Sequence, residues 1–146
     1  MKKIFTFLLV SFLLLMLCVI WGVSSDDSET KKVDNTEKRT YSGTVYDEAY
    51  YANKNDGMRA KAYYYYLFSE AENKVLRCSH STAGSGMTII KVGTYEGTLG
   101  ESVTITINSE TETFTFDGNT MCSIDGKESF TSTDVESAIS KIKSWR

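Results

Sequence analysis

From Thr40 onward the chain alternates apolar and polar residues with a period of two. The clearest stretch is Ser102 to Asn108, where Val103, Ile105 and Ile107 stand between Ser102, Thr104 and Thr106. Successive side chains of an extended strand point to opposite faces, so the pattern predicts one buried face and one wet face. Thr113-Phe114-Thr115-Phe116 repeats the alternation, and Asn108-Ser109-Glu110 between the two runs predicts a short hairpin connection. Asp117-Gly118-Asn119 and Asp125-Gly126-Lys127 supply further turns, because Asp-Gly pairs tolerate the positive dihedrals of a tight hairpin. Upstream, Tyr41 to Tyr51 and Arg59 to Phe68 flank a turn cluster, Asn53 to Gly57. Glu70 to Lys74 separates the second of these from Val75 to His80. Ser81 to Gly86 reads as a loop, and Thr88 to Val92 and Gly93 to Leu99 as extended stretches. This makes eight or nine short strands at hairpin spacing, the signature of a mainly β, antiparallel meander forming a small barrel or a sandwich. No internal helix interrupts them, which argues against a parallel crossover fold.

Near the C-terminus the period becomes helical. Val135, Ala138, Ile139 and Ile142 recur at helical spacing behind Thr133 and Glu136, which have the spacing of a capping box. An amphipathic helix over residues 132–145 is predicted, packed over the sheet or a barrel end, with a partner-binding helix as the alternative. Asp134 and Glu136 fall in its first turn and Lys141, Lys143 and Arg146 in its last, each complementing the helix dipole.

The N-terminal pattern is different again. Lys2-Lys3 precedes a run from Ile4 to Val23 that has no charge and only Thr6, Ser11 and Cys18 as small polar residues. Residues 1–25 therefore read as an export signal, either a cleaved signal peptide or a retained signal-anchor, since roughly 20 apolar residues can span a bilayer. Val23 and Ser25, or Gly22 and Ser24, suit a signal peptidase. Acylation at Cys18 is disfavoured by the bulky Leu17 before it. All these readings place the following residues outside the cytoplasmic membrane, secreted or anchored. Residues 26–39, almost devoid of apolar side chains, predict a flexible polar linker, and residues 40–146 an extracytoplasmic β-domain.

Length and charge narrow the function. The 146 residues make one domain with an appendage, and after residue 25 there are 14 basic against 19 acidic residues. An acidic body argues against nucleic acid and against anionic lipid surfaces. Membrane contact is expected only through residues 4–23, if the signal is retained.

Removal of the signal would leave Cys78 and Cys122 in an oxidising compartment, which predicts a disulfide between them, with two buried thiols as the alternative. Such a bridge would contribute about 4 kcal/mol through loop entropy. Cys78, His80 and Cys122 are one ligand short of a structural zinc site, so no metal and no cofactor is predicted. His80 is the single histidine. Cys78, two positions away on the same strand face, lies roughly 7 Å along the chain, too far for a direct hydrogen bond. Glu110 with Glu112, Glu70 with Glu72, and Asp47 with Glu48 have the residue types of a glycosidase carboxylate pair, but nearly all fall at predicted turns or wet strand positions, where charge is solvated. Ala83-Gly84-Ser85-Gly86 lacks the Gly-Lys-Ser/Thr of a phosphate loop. No catalytic residue is predicted.

The aromatic residues exceed what a small core requires. Eight of the nine tyrosines, Tyr41, Tyr46, Tyr50, Tyr51, Tyr63, Tyr64, Tyr65 and Tyr66, belong to one predicted hairpin. Tyr64 and Tyr66 share a face with Phe68, and Tyr63 and Tyr65 share the other with Leu67. One face can be core; the second must meet a ligand, a partner, the helix or solvent. Tyr63, Tyr64, Tyr65, Tyr66 and Phe68 are therefore the candidate ligand-binding residues.

Lys91 to Asp125, KVGTYEGTLGESVTITINSETETFTFDGNTMCSID, resembles the strand-turn-strand cadence of small extracytoplasmic lipocalin-like proteins. The likeness lies in Gly93-Thr94-Tyr95, the Thr/Ile-rich strand after it, and Thr113-Phe114-Thr115-Phe116-Asp117-Gly118. It covers about a quarter of the chain and implies an up-and-down barrel with a C-terminal helix. The expected function is a non-enzymatic, lipocalin-like binding module for a small apolar or amphipathic ligand, or for a macromolecular partner at its surface. A small secreted hydrolase or inhibitor-like module is the alternative.

Overall fold

A computed structural model describes residues 35–55 and 60–146. The apolar run from Ile4 to Val23, most of the expected linker and part of the 53–57 turn cluster lie outside the described residues. Among the described residues no helix is long and apolar enough to cross a membrane.

A single helical turn, α1 (Asn35–Lys38), leads into a two-stranded ribbon of β1 (Thr40–Tyr41) and β2 (Thr44–Val45). Ser42 and Gly43 between them adopt φ of 51° and 84°, so the expected strand from Tyr41 to Tyr51 is broken by a tight turn. Eight strands follow: β3 (Glu48–Asn55), β4 (Lys61–Ser69), β5 (Lys74–Ser81), β6 (Met87–Thr98), β7 (Ser102–Ile107), β8 (Glu110–Asp117), β9 (Thr120–Ser123) and β10 (Ser129–Thr133). Each pairs antiparallel with the next, and β10 pairs back onto β3 to close an eight-stranded barrel. Closure satisfies both sides of the sheet without leaving a whole strand as an edge. Asn108 and Ser109 connect β7 to β8 with φ of 52° and 67°, the dihedrals a two-residue hairpin needs to match strand twist.

Two expected boundaries move. Thr88 to Val92 and Gly93 to Leu99 are not separate stretches: β6 runs through Gly93, where a Cβ would stand 2.1 Å from the Thr106 carbonyl oxygen. Gly93 permits close approach of β7 rather than a turn. At the C-terminus, α2 (Val135–Ser144) begins later than residue 132, because Ser132 and Thr133 stay in the ladder opposite Tyr50 and Ala49. Asp134, not Thr133, caps the helix, its carboxylate accepting the Ser137 N–H at 2.8 Å.

The core has two layers. Inside the barrel, Tyr66 meets Phe130 edge-on at 5.1 Å and Phe68 meets Tyr95 at 5.2 Å, with Phe114 and Met121 fully enclosed. Outside it, Val135, Ala138, Ile139 and Ile142 of α2 pack on Ala49, Tyr65, Leu67, Leu76 and Cys78. Tyr41 of the ribbon and Tyr46 just after it belong to this outer layer.

This layering corrects the expected disulfide. Cys78 lies on β5, opposite Tyr65 and Ile90 in the layer beneath α2. Cys122 lies on β9, opposite Thr115 and Ser129, and its neighbour Met121 points into the barrel. β5 and β9 are four places apart in a ring of eight. The two thiols therefore lie on opposite outer walls, far beyond the roughly 7 Å Cα separation a bridge allows. Both cysteines are free.

Candidate ligand-binding site at the polar end of the barrel

Alternation along each strand sends every second side chain inward, and the inward residues change character along the barrel axis. At one end they are aromatic: Tyr50 stands 5.3 Å from Phe116 and 5.9 Å from Phe68. Toward the other end the same faces carry charge. Arg77 follows Val75 on β5, Glu112 precedes Phe114 on β8, and Lys54 follows Ala52 on β3. Lys54 is paired with Glu128, ahead of β10, and its ammonium stands 5.1 Å from the Tyr64 ring centroid.

Beside this charged layer opens a cleft of about 350 Å³, lined by Arg77, Ile105, Ile107, Glu110, Thr111 and Glu112. Its floor connects to the aromatic core through Tyr66, whose hydroxyl donates to Glu112 Oε2 at 3.4 Å. Burial pushes the Glu112 carboxyl above its ordinary range, and the negative charge of Glu128 adds to the rise; Arg77 and the Tyr66 hydroxyl oppose it. Burial and the Glu112 charge likewise push the Tyr66 phenol up to about 12. Arg77 is half-buried and forms no ion pair among the described residues. A confined guanidinium without a carboxylate partner retains its capacity for charge-assisted hydrogen bonds. Lined by two isoleucines together with charged side chains, Glu112 and Glu110 standing beside Ile105 and Ile107 in the ladder, the cleft matches a small molecule having one apolar and one polar part.

The five residues expected to bind ligand separate on the two faces of β4. Tyr66 and Phe68, 2% and 0% exposed, fill the barrel interior. Tyr65, 9% exposed, is covered by α2 and stands 5.7 Å from Trp145. Tyr63 is half-buried, stacked on Tyr51 at 6.4 Å and 5.6 Å from Trp145. Tyr64, also half-buried, reaches the charged layer. Both faces of the tyrosine-rich hairpin are thus covered for most of their length, one by the opposite barrel wall and one by the helix.

Sequence reasoning passed over all six residues lining the cleft as binding residues. The available signal was Arg77 on the face of Val75, and Glu112 on the face of Phe114, charged residues at positions where alternation calls for core.

Cys78 and His80 lie on the outer face of β5. Burial pushes the Cys78 thiol up to about 11, which keeps it protonated and poorly nucleophilic. The His80 ring is engaged by Thr88, with Nδ1 2.8 Å from Oγ1, and by the Trp145 indole. Among the described residues no three His, Cys, Asp or Glu side chains converge as a metal site.

No protein family, curated protein or solved structure matches the chain.

Proposed function

We propose that this protein is a non-enzymatic, extracytoplasmic binding module that takes a small amphipathic ligand into the cleft at the polar end of its barrel. The observation that carries the reading is the half-buried Arg77, in no ion pair among the described residues, lining one cleft with Ile105 and Ile107. The apolar part of the ligand would lie on the isoleucines and an anionic head on Arg77, with Thr111 available as a further hydrogen-bonding group. The closed barrel supports the resemblance of Lys91 to Asp125 to lipocalin-like proteins. The uncharged run after Lys2-Lys3 supports export.

Fluorescence titration of the full chain with 1-anilinonaphthalene-8-sulfonate, an anionic amphiphile, tests the reading. Saturable binding is expected, weakened about tenfold by Arg77→Met, since one charge-assisted contact is lost. Absence of saturable binding, or binding that Arg77→Met leaves unchanged, would sink it.

A further inference from the structure

The longest strand of the barrel uses its two sides unequally. β5 pairs with β6 from Met87 to Thr94, whereas β7 pairs with it only from Thr94 to Thr98. From Met87 to Val92 no strand among the described residues pairs with β6 on its β7 side. These six residues carry three of the four exposed large apolar side chains of the described chain: Met87 at 60%, Ile89 at 42% and Val92 at 55%.

Alternation of the ladder identifies the backbone groups on this open side. The Tyr95 N–H donates to the Asn73 carbonyl, on the β5 side, and the β5–β6 register runs unbroken from Lys74 to Ser81. The N–H and C=O of Thr88, Ile90 and Val92 therefore point away from β5, six hydrogen-bonding groups facing no partner strand. Proline, bulges or repeated charges ordinarily blunt such an edge. Here the segment has no proline, no register break and one charge, Lys91.

We propose that this edge pairs with the same edge of a second copy, the two β6 strands running antiparallel about a twofold axis through Ile90. An isologous contact requires one patch to be complementary to itself, and this register meets that condition. Opposed side chains share a face, so Thr88 lies across from the partner's Val92, Ile89 from the partner's Lys91, and Ile90 from the partner's Ile90. The backbone groups of Thr88, Ile90 and Val92 then bond those of the partner's Val92, Ile90 and Thr88, leaving none of the six unmet. Like charges are not opposed, and each Lys91 can lay its aliphatic stem over the partner's Ile89. The close approach of β7 at Gly93 bounds the pairing. This inference is independent of the ligand reading, since it rests on the backbone edge and not on the cleft.

Sedimentation velocity of the full chain in mild detergent, over a range of concentrations, provides the test. Ile89→Lys would oppose the partner's Lys91 at two symmetric positions, and Ile89→Glu would create two attractive pairs there. The dimer dissociation constant should rise about tenfold with Ile89→Lys and fall with Ile89→Glu. Ile89 is 42% exposed, so unchanged melting curves should accompany both variants at concentrations where the chain is monomeric. A protein monomeric up to about 1 mM, or a dimer that ignores both substitutions or is weakened by both, overturns the proposal.

Discussion

His80 and Trp145 stack face to face, with ring centroids 4.4 Å apart and planes 5° from parallel. Since His80 is on β5 and Trp145 follows the last turn of α2, the stack fastens the end of the helix to the barrel wall. Thr88 completes the link, donating to the Trp145 carbonyl at 3.2 Å while its oxygen stands 2.8 Å from His80 Nδ1. A hydroxyl has one proton; having given it to the carbonyl, Thr88 accepts from His80, which requires a proton on Nδ1.

Trp145→Ala should therefore release the helix end and uncover Tyr63 and Tyr65 along with His80. A loss of about 2 to 4 kcal/mol is expected, toward the lower part of the range for aromatic truncation because Trp145 is half-buried. Trp145→Phe, which keeps a ring in the stack, should recover most of it. Urea unfolding of the full chain measures both; equal loss in the two variants would show that a ring at this position does not hold the helix end.

Alkaline pH should destabilise the fold. Burial pushes Cys78 up to about 11 and Tyr65 and Tyr66 up to about 12, against ordinary values of 9.0 and 10.0. Each group stays neutral in the folded chain at a pH where the unfolded chain would ionise it. Their stabilisation is thus complete below about pH 9 and is lost as pH rises through the folded values. Urea midpoints compared at about pH 8 and pH 11 should fall by a readily measured amount; a pH-independent midpoint contradicts the burial. At about pH 8, iodoacetamide should label the half-buried Cys122 and spare Cys78, as peptide mapping would show.

Gly93→Ala should cost about 1 to 3 kcal/mol, because its Cβ would be driven against the backbone oxygen of Thr106, which cannot swing aside as a side chain can. Gly118 provides the contrast. It sits at φ +56° with nothing within 4 Å of a Cβ, so only backbone strain opposes a side chain there. Gly118→Asn, a residue that tolerates this region, should be nearly neutral. Thermal unfolding of the two variants distinguishes crowding from strain, and a larger loss at Gly118 would contradict this assignment.

Much of the barrel was legible because its signals are local. The Val103-Ile105-Ile107 alternation, the Asn108-Ser109 turn and the spacing of Val135, Ala138, Ile139 and Ile142 each depend on neighbours within a few residues. The helix start was misplaced for a reason equally specific. The Thr133 to Glu136 spacing suits a cap, but β3 holds Ser132 and Thr133 in its ladder, and a long-range partner outweighs a local preference. The tyrosine-rich hairpin was legible as two aromatic faces. What covers them was not, since one cover comes from strands some fifty residues later in the chain and the other from the C-terminal helix.

The sequence by itself determined the β class, the hairpin order, the terminal helix and which residues share a face, because a strand's period of two assigns faces without reference to the rest of the chain. Only the tertiary structure decided which face lies inside. Closing β10 onto β3 put Cys78 and Cys122 on opposite outer walls, and it brought Arg77, Ile105, Ile107 and Glu112 from three strands to one cleft. It also left six residues of β6 without a partner strand on their β7 side among the described residues. Those outcomes depend on position around a closed ring and on unequal strand lengths, quantities that no local pattern encodes.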